Sequence, residues 1–198
     1  MARRPDLVGL TVLAMLSVRA SHPYELHRFI IDTHKDYVTG LPRSLYHAVE
    51  KLAGDELIVP VETSREGRRP ERTVYEITDE GRKELSTRLR ALLETPGGER
   101  RAFTAAVSLI GCLPVPEALG ALRSRAASVR GLITAMDGHL AAMRDNGLPE
   151  LLMIEVDYER AMSRAELSWV DDLIARVDKG ELSWQGTVTR DLMEKALE

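Results

Sequence analysis

A single cysteine, Cys112, occurs in the 198 residues, so no intrachain disulfide can form and the chain suits a reducing compartment. Cys112 sits in the apolar run Val107–Leu113, where an inert thiol is expected. No apolar stretch reaches the roughly 20 residues that a membrane-spanning helix needs. A surplus of positive charge is also missing, since 27 Lys and Arg stand against 31 Asp and Glu for a net charge of −4. That balance excludes a uniformly basic coat for nucleic acid. The histidines, His22, His27, His34, His47 and His139, show no metal-ligand spacing, and Cys112 has no zinc-type partner. There is no phosphate-binding glycine loop, no nucleophile elbow and no pair of carboxylates in an apolar setting. Asp171-Asp172 stands among many charges and reads as a solvated helix face. These gaps argue against an enzyme, and no cofactor or metal is expected. Internal repeats and low-complexity tracts are absent too.

What is present begins with an apolar stretch behind Arg3 and Arg4. With Val18-Arg19-Ala20 after it, the stretch has the outline of a short signal peptide. Asp6 opens it as a helix N-cap, however, and Arg19 closes it, which favours a buried first helix over Leu7–Val18 of a cytoplasmic protein. Arg3 and Arg4 themselves read as a frayed, solvated end. A second helix starts at Ser21-His22-Pro23, turns Leu26, Phe29 and Ile30 inward, and ends before Gly40. A third starts at Pro42. Leu45, Val49 and Leu52 recur at i, i+4 and i+7 on its inner face, and Arg43, Ser44, Tyr46, His47, Glu50 and Lys51 occupy the outer one.

After Gly54 the pattern changes to strands, over Leu57–Thr63 and Arg72–Ile77, with Gly67 and Pro70 in the turn between them. Thr78 then caps a fourth helix that carries Asp79 and Glu80 in its first turn and runs to about Leu93. Helix, helix, helix, hairpin, helix is the order of a winged helix-turn-helix. Charge is distributed accordingly. Up to Thr95 there are 15 basic and 15 acidic residues, and the remainder holds 12 against 16. Within the neutral half, the turn concentrates Arg65, Arg68, Arg69 and Arg72 against only Glu66 and Glu71. A basic prong of this kind can hold duplex DNA on an otherwise uncharged domain.

The outer face of the third helix supplies the reading groups. Arg43 is suited to bidentate pairing with guanine, while Ser44, Tyr46 and His47 can hydrogen-bond to base edges or phosphates, with Lys51 beside them. Arg68 and Arg69 at the wing tip, with Arg65 and Arg72 below, reach for phosphates or the minor groove. Competing placements are core packing for Tyr46, and pairing of Arg65 and Arg72 with Glu66, Glu71 or Glu76.

Thr95-Pro96-Gly97-Gly98 is the best domain boundary, giving a winged domain over 1–95 and a helical domain over 99–198. Phe103, Val107 and Ile110 mark a helix that Pro114 and Pro116 end. A long helix then runs from Glu117 to about Asp145, with an apolar heptad seam at Leu119, Leu122, Ala126, Val129, Ile133, Met136, Leu140 and Met143. Gly131 and Gly138 weaken it, which favours an antiparallel bundle over a rod. A last helix, Glu150–Lys179, has two apolar stripes: Ile154, Tyr158, Ala161, Ala165 and Trp169, and Leu167, Val170, Ile174 and Val177. Two stripes need two partners, one being the long helix and the second another subunit. The fold class expected is therefore mainly α with one small β-hairpin: an N-terminal winged helix-turn-helix and a C-terminal helical dimerisation domain. Tyr158, Met162 and Trp169 are candidates for lining an apolar effector pocket between subunits.

Residues 7–89 resemble the DNA-binding domain of the PadR family of bacterial transcriptional regulators. The resemblance rests on the first apolar helix, His22-Pro23-Tyr24-Glu25-Leu26, Ser44-Leu45-Tyr46, and Glu50-Lys51-Leu52 leading to Leu57-Ile58. Its most specific part is the run from Gly67-Arg68-Arg69-Pro70 through Val74-Tyr75-Glu76-Ile77-Thr78 to Asp79-Glu80-Gly81-Arg82. Glu166-Leu167-Ser168-Trp169-Val170 resembles the helical dimerisation region of one branch. Two positions depart: Arg43 stands where Gly is common, and Asp55-Glu56 precedes Leu57 where Gly is usual. The resemblance implies a dimeric repressor on a palindromic operator, released by a small molecule or stress signal. Against it stand two other classes, a winged module for protein–protein assembly without DNA, and a protein that sequesters a small molecule.

Overall fold

The computed structural model describes residues 5–33, 35, 37–38, 41–64, 72–97 and 100–184, with 63, 64 and 72 described by backbone alone. The chain forms two compact units. Among the described residues, the first holds those up to Leu92, then 100–115 and Trp184, and the second holds 93–97 and 116–183.

The first unit is built on α1, Leu7–Leu16, which is buried along nearly its whole circumference. Asp6 caps it, its Oδ1 accepting from the Gly9 N–H at 2.8 Å. Then α2, Pro23–Asp32, begins in a capping box: the His22 side chain accepts from the Tyr24 N–H, and Glu25 reaches back to the His22 N–H. It stops at Asp32, before Gly40 as expected, and Thr33 turns its hydroxyl onto the Phe29 carbonyl at 2.7 Å. The third helix, α3, Arg43–Gly54, buries Leu45, Ala48, Val49 and Leu52 and packs on α1.

The exit from α3 sets the course of the hairpin. The Leu57 N–H donates to the Leu52 carbonyl and the Glu56 N–H to the Ala53 carbonyl, a Schellman closure. Glu56 takes the left-handed position with φ of 58°, where glycine would be unstrained. The chain then enters β1, Ile58–Ser64, which pairs antiparallel with β2, Arg72–Ile77, from Ile58 opposite Ile77 to Ser64 opposite Arg72. The register shifts between Pro60 and Glu62, a bulge next to the one residue of β1 that lacks an N–H. Ser21 adds a bridge that the sequence pattern does not reveal, exchanging both backbone hydrogen bonds with Tyr75 at 3.0 and 3.1 Å.

Next comes α4, Asp79–Glu94, capped by Thr78, whose Oγ1 accepts from the Gly81 N–H at 3.0 Å. The Thr78 N–H and hydroxyl both donate to the Leu57 carbonyl. Gly81 lies so near that a Cβ there would stand 2.1 Å from the same carbonyl oxygen. The short helix α5, Arg100–Ser108, belongs to this unit, burying Ala102, Ala105 and Ala106. Lys35 Nζ and the Tyr37 hydroxyl both donate to Ser108 Oγ, and Trp184 Nε1 donates to the Leu113 carbonyl at 2.9 Å. Among the described residues the chain thus passes between units near Leu93, between Gly97 and Arg100, and near Pro116 and Trp184.

The second unit is an antiparallel pair, α6, Val115–Asp145, and α7, Ile154–Asp178. Leu119, Leu122, Ala126, Val129 and Leu140 of the heptad seam are buried, and α6 continues through Gly131 and Gly138, which face open space. On α7, Val170 and Val177 of one expected stripe are buried together with Leu173. Ile154, Tyr158 and Trp169 of the other stripe are exposed. A charge ladder runs beside the seam: Arg123 to Asp178, Arg130 to Asp171, and Asp137 to Arg164 and Arg160. Each heptad step along α6 is answered by a heptad step backwards along α7. Asp171 is accordingly not a free solvated residue, because Arg130 grips both its oxygens at 2.6 and 2.7 Å. The Arg160 hydrogen bond, assisted by Arg164, holds the Asp137 carboxyl below its ordinary value. Buried beside the seam is Arg125, only 3% exposed, which bonds Glu166 at 2.7 Å and the carbonyls of Leu93 and Thr95.

Glu56→Gly relieves the left-handed strain and is expected to raise stability by about 0.5–1 kcal/mol in urea unfolding followed by circular dichroism. In the same assay Gly81→Ala is expected to lose about 1–3 kcal/mol. No change in either variant contradicts the Leu57 junction. In the second unit Arg125→Ala is expected to cost about 3 kcal/mol, against less than about 1 for the exposed Arg130→Ala. Equal costs would remove the distinction between the buried ion and the ladder.

Candidate nucleic-acid interface

Burial of Leu45, Ala48, Val49 and Leu52 leaves α3 only one way to face. The opposite side carries Arg43, Tyr46, His47 and Glu50 in the open, with Ser44 half-buried at the edge. Arg43, Ser44, Tyr46, His47 and Glu50 line one shallow depression. Tyr46 is 44% exposed, so the ring belongs to the surface and not to the core. Lys51 departs from the group: its Nζ lies 3.9 Å from Asp6, the carboxylate that caps α1. Glu50 was legible on the outer face but is the one acidic member of it, at i+7 from Arg43 and i+3 from His47.

The hairpin leaves the end of α3 within four residues, and β1 stays in contact with that helix. The Leu57 junction holds that placement through Thr78 and Gly81. Val59 and Val61 of β1 are 42% and 50% exposed, giving the wing an open apolar flank. Arg65, Arg68 and Arg69 lie outside the described residues, as does the side chain of Arg72, whose backbone opens β2.

The effector-pocket candidates, Tyr158, Met162 and Trp169, share the open face of α7 at 60%, 45% and 47% exposure. Among the described residues no group of histidine, cysteine and carboxylate is placed to hold a metal ion, and no helix is long and apolar enough to cross a membrane. Cys112 is part-buried, and desolvation pushes its thiol up to about 11. A thiol so rarely ionised at neutral pH is a poor nucleophile. Burial also lowers the Lys35 pKa and raises that of Tyr37, which meet at Ser108.

Residues 12–87 match the Transcriptional regulator PadR-like family. No curated protein matches the chain. Among solved structures, Bacillus subtilis PadR in complex with operator DNA is 16% identical, with a TM-score of 0.42, over 88% of this chain and 99% of that one. The protein smu.1604c of Streptococcus mutans UA159 is 19% identical, with a TM-score of 0.38, over 87% and 99%. Bacillus subtilis PadR in complex with p-coumaric acid is 15% identical, with a TM-score of 0.38, over 89% and 99%. These structural likenesses are loose, and the family match over residues 12–87 carries the weight.

Proposed function

We propose that this chain, PadR-like over residues 12–87, is a homodimeric repressor that binds a palindromic operator and releases it on a ligand or stress signal. One observation carries the reading: α3 has a sealed apolar face and an open face of hydrogen-bonding side chains, and a hairpin with an arginine-rich turn comes directly after it. In the proposed complex α3 enters the major groove, with Arg43 on guanine and Ser44, Tyr46 and His47 on base edges or phosphates. Lys51 exchanges Asp6 for a phosphate. Arg65, Arg68, Arg69 and Arg72 hold the flanking backbone, which fixes register without reading sequence. DNA contact is thereby assigned to residues 1–95.

Assembly is assigned to the helices after Glu99. The exposed stripe of Ile154, Tyr158 and Trp169 continues into Leu151 and Leu152, and a second subunit is the partner that removes this apolar surface from water. An effector held against Tyr158, Met162 and Trp169 would bind one dimer form better than another and so shift the distance between the two reading helices.

Fluorescence anisotropy on duplex DNA from upstream of the protein's own gene tests DNA binding, with a scrambled duplex as control. Arg68→Ala/Arg69→Ala in both subunits is expected to make the slope of log affinity against log salt shallower by about 4, roughly one per arginine. An unchanged slope removes the wing from the interface. Failure of the wild type to bind any duplex at low salt favours a winged module for protein assembly. For the dimer, light scattering at micromolar concentration is expected to give twice the chain mass, and Ile154→Glu/Tyr158→Glu to give a helical monomer. A monomeric wild type ends the dimer reading.

A further inference from the structure

We propose that Glu50 is a base-discriminating residue of this interface, accepting a hydrogen bond from the N4 amino group of cytosine at one position of each operator half-site. The inference rests on the DNA-binding reading above and adds a residue and a base to it. Glu50 is exposed and lines the same depression as Arg43, Ser44, Tyr46 and His47, so it approaches whatever those residues approach. A carboxylate on a DNA-facing surface is unfavourable beside phosphates, unless it is neutralised or used.

Neutralisation within the helix is not arranged. The positions three and four residues away on either side are His47 and Tyr46, and Ala53 and Gly54, with no lysine or arginine among them. The adjacent Lys51 is turned to Asp6. With the wing arginines engaged on the DNA backbone, as proposed above, the remaining role is contact with a donor, and base edges in the major groove offer two kinds of amino group. Adenine places its N7 acceptor beside its N6 amino group, which repels a carboxylate. Cytosine places only a C–H beside N4. Guanine O6 and N7 and thymine O4 are acceptors, so a carboxylate rejects both. The order expected is cytosine, then adenine, then guanine and thymine.

Helical geometry also relates this base to the one read by Arg43. Seven residues at 1.5 Å each separate the two side chains by about 10 Å along α3, which along the oblique course of the major groove spans about two base-pair steps. The half-site is therefore expected to carry a guanine and, about two base pairs away, the cytosine.

The test is selection of bound duplexes from a random pool with the wild type, Glu50→Gln and Glu50→Ala. Anisotropy on duplexes that vary only the selected position comes next, and circular dichroism checks that the variants stay folded. The wild type is expected to prefer cytosine over guanine or thymine by about 10-fold or more. Glu50→Ala should bring all four bases within about 3-fold, and Glu50→Gln should move the preference to adenine, whose N6 and N7 a carboxamide pairs with. Retention of the cytosine preference by Glu50→Ala overturns the assignment. So does a uniform gain in affinity for every base, which would make the carboxylate a repulsive element only. Failure of the wild type to enrich any duplex overturns the DNA-binding reading itself, and this assignment with it.

Discussion

Four side chains decide which way α3 faces. Leu45, Ala48, Val49 and Leu52 are each 5% exposed or less, and rotating the helix by one residue would lift part of that set into water. At about 1.5–3 kcal/mol for each large aliphatic side chain, such a rotation costs more than any surface contact could return. The polar side has no freedom to turn inward, and the identity of the outer face is a consequence of the core. Leu57, Ile58 and Ile77 tie the base of the hairpin to the same core. Its junction with α4 depends on the Leu57 carbonyl, which takes two hydrogen bonds from Thr78 and is approached by Gly81. A glutamate endures a left-handed backbone at Glu56 to deliver the chain to this point.

The second unit is held differently. Its α6 seam is apolar and its flank is charged, and the two act on different scales. The ladder pairs lie at the surface, salt screens them, and they add little to stability. Their value is in register. Arg123 and Arg130 on α6 meet Asp178 and Asp171, and the signs reverse where Asp137 meets Arg164, so a slip by one heptad would oppose like charges. Because the folded pKa of Asp137 is depressed, its contribution is present above the ordinary aspartate value and is lost as pH falls through the depressed one. Arg125 is a different case, a buried cation that needs Glu166 and two carbonyls at once.

Periodicity made the helices, the hairpin and the α3 face legible, because each repeats over three or more turns or alternates along a strand. The open stripe of α7 was legible for the same reason, as a second apolar face beside the one turned to α6. The features that were not legible depend on residues far apart in sequence. Ser21 pairs with Tyr75 through backbone alone, and Asp171 looked solvated because Arg130 lies 41 residues earlier. Arg125 carries no signal of burial beside a seam of leucine, alanine and valine. Tyr46 could have packed either way, and its exposure decides for the surface. The glycine usual before Leu57 was a cue to the turn, and the structure places its replacement in the conformation that glycine favours.

The central claim is that two copies of α3 read one duplex at a fixed separation. Hydroxyl-radical footprinting of the wild type on a duplex selected from a random pool tests it most directly. Two equivalent protected patches are expected, with centres about one helical turn, 10 base pairs, or a whole multiple of it apart. A single protected patch at saturation, or two patches with unrelated sequences beneath them, would contradict it.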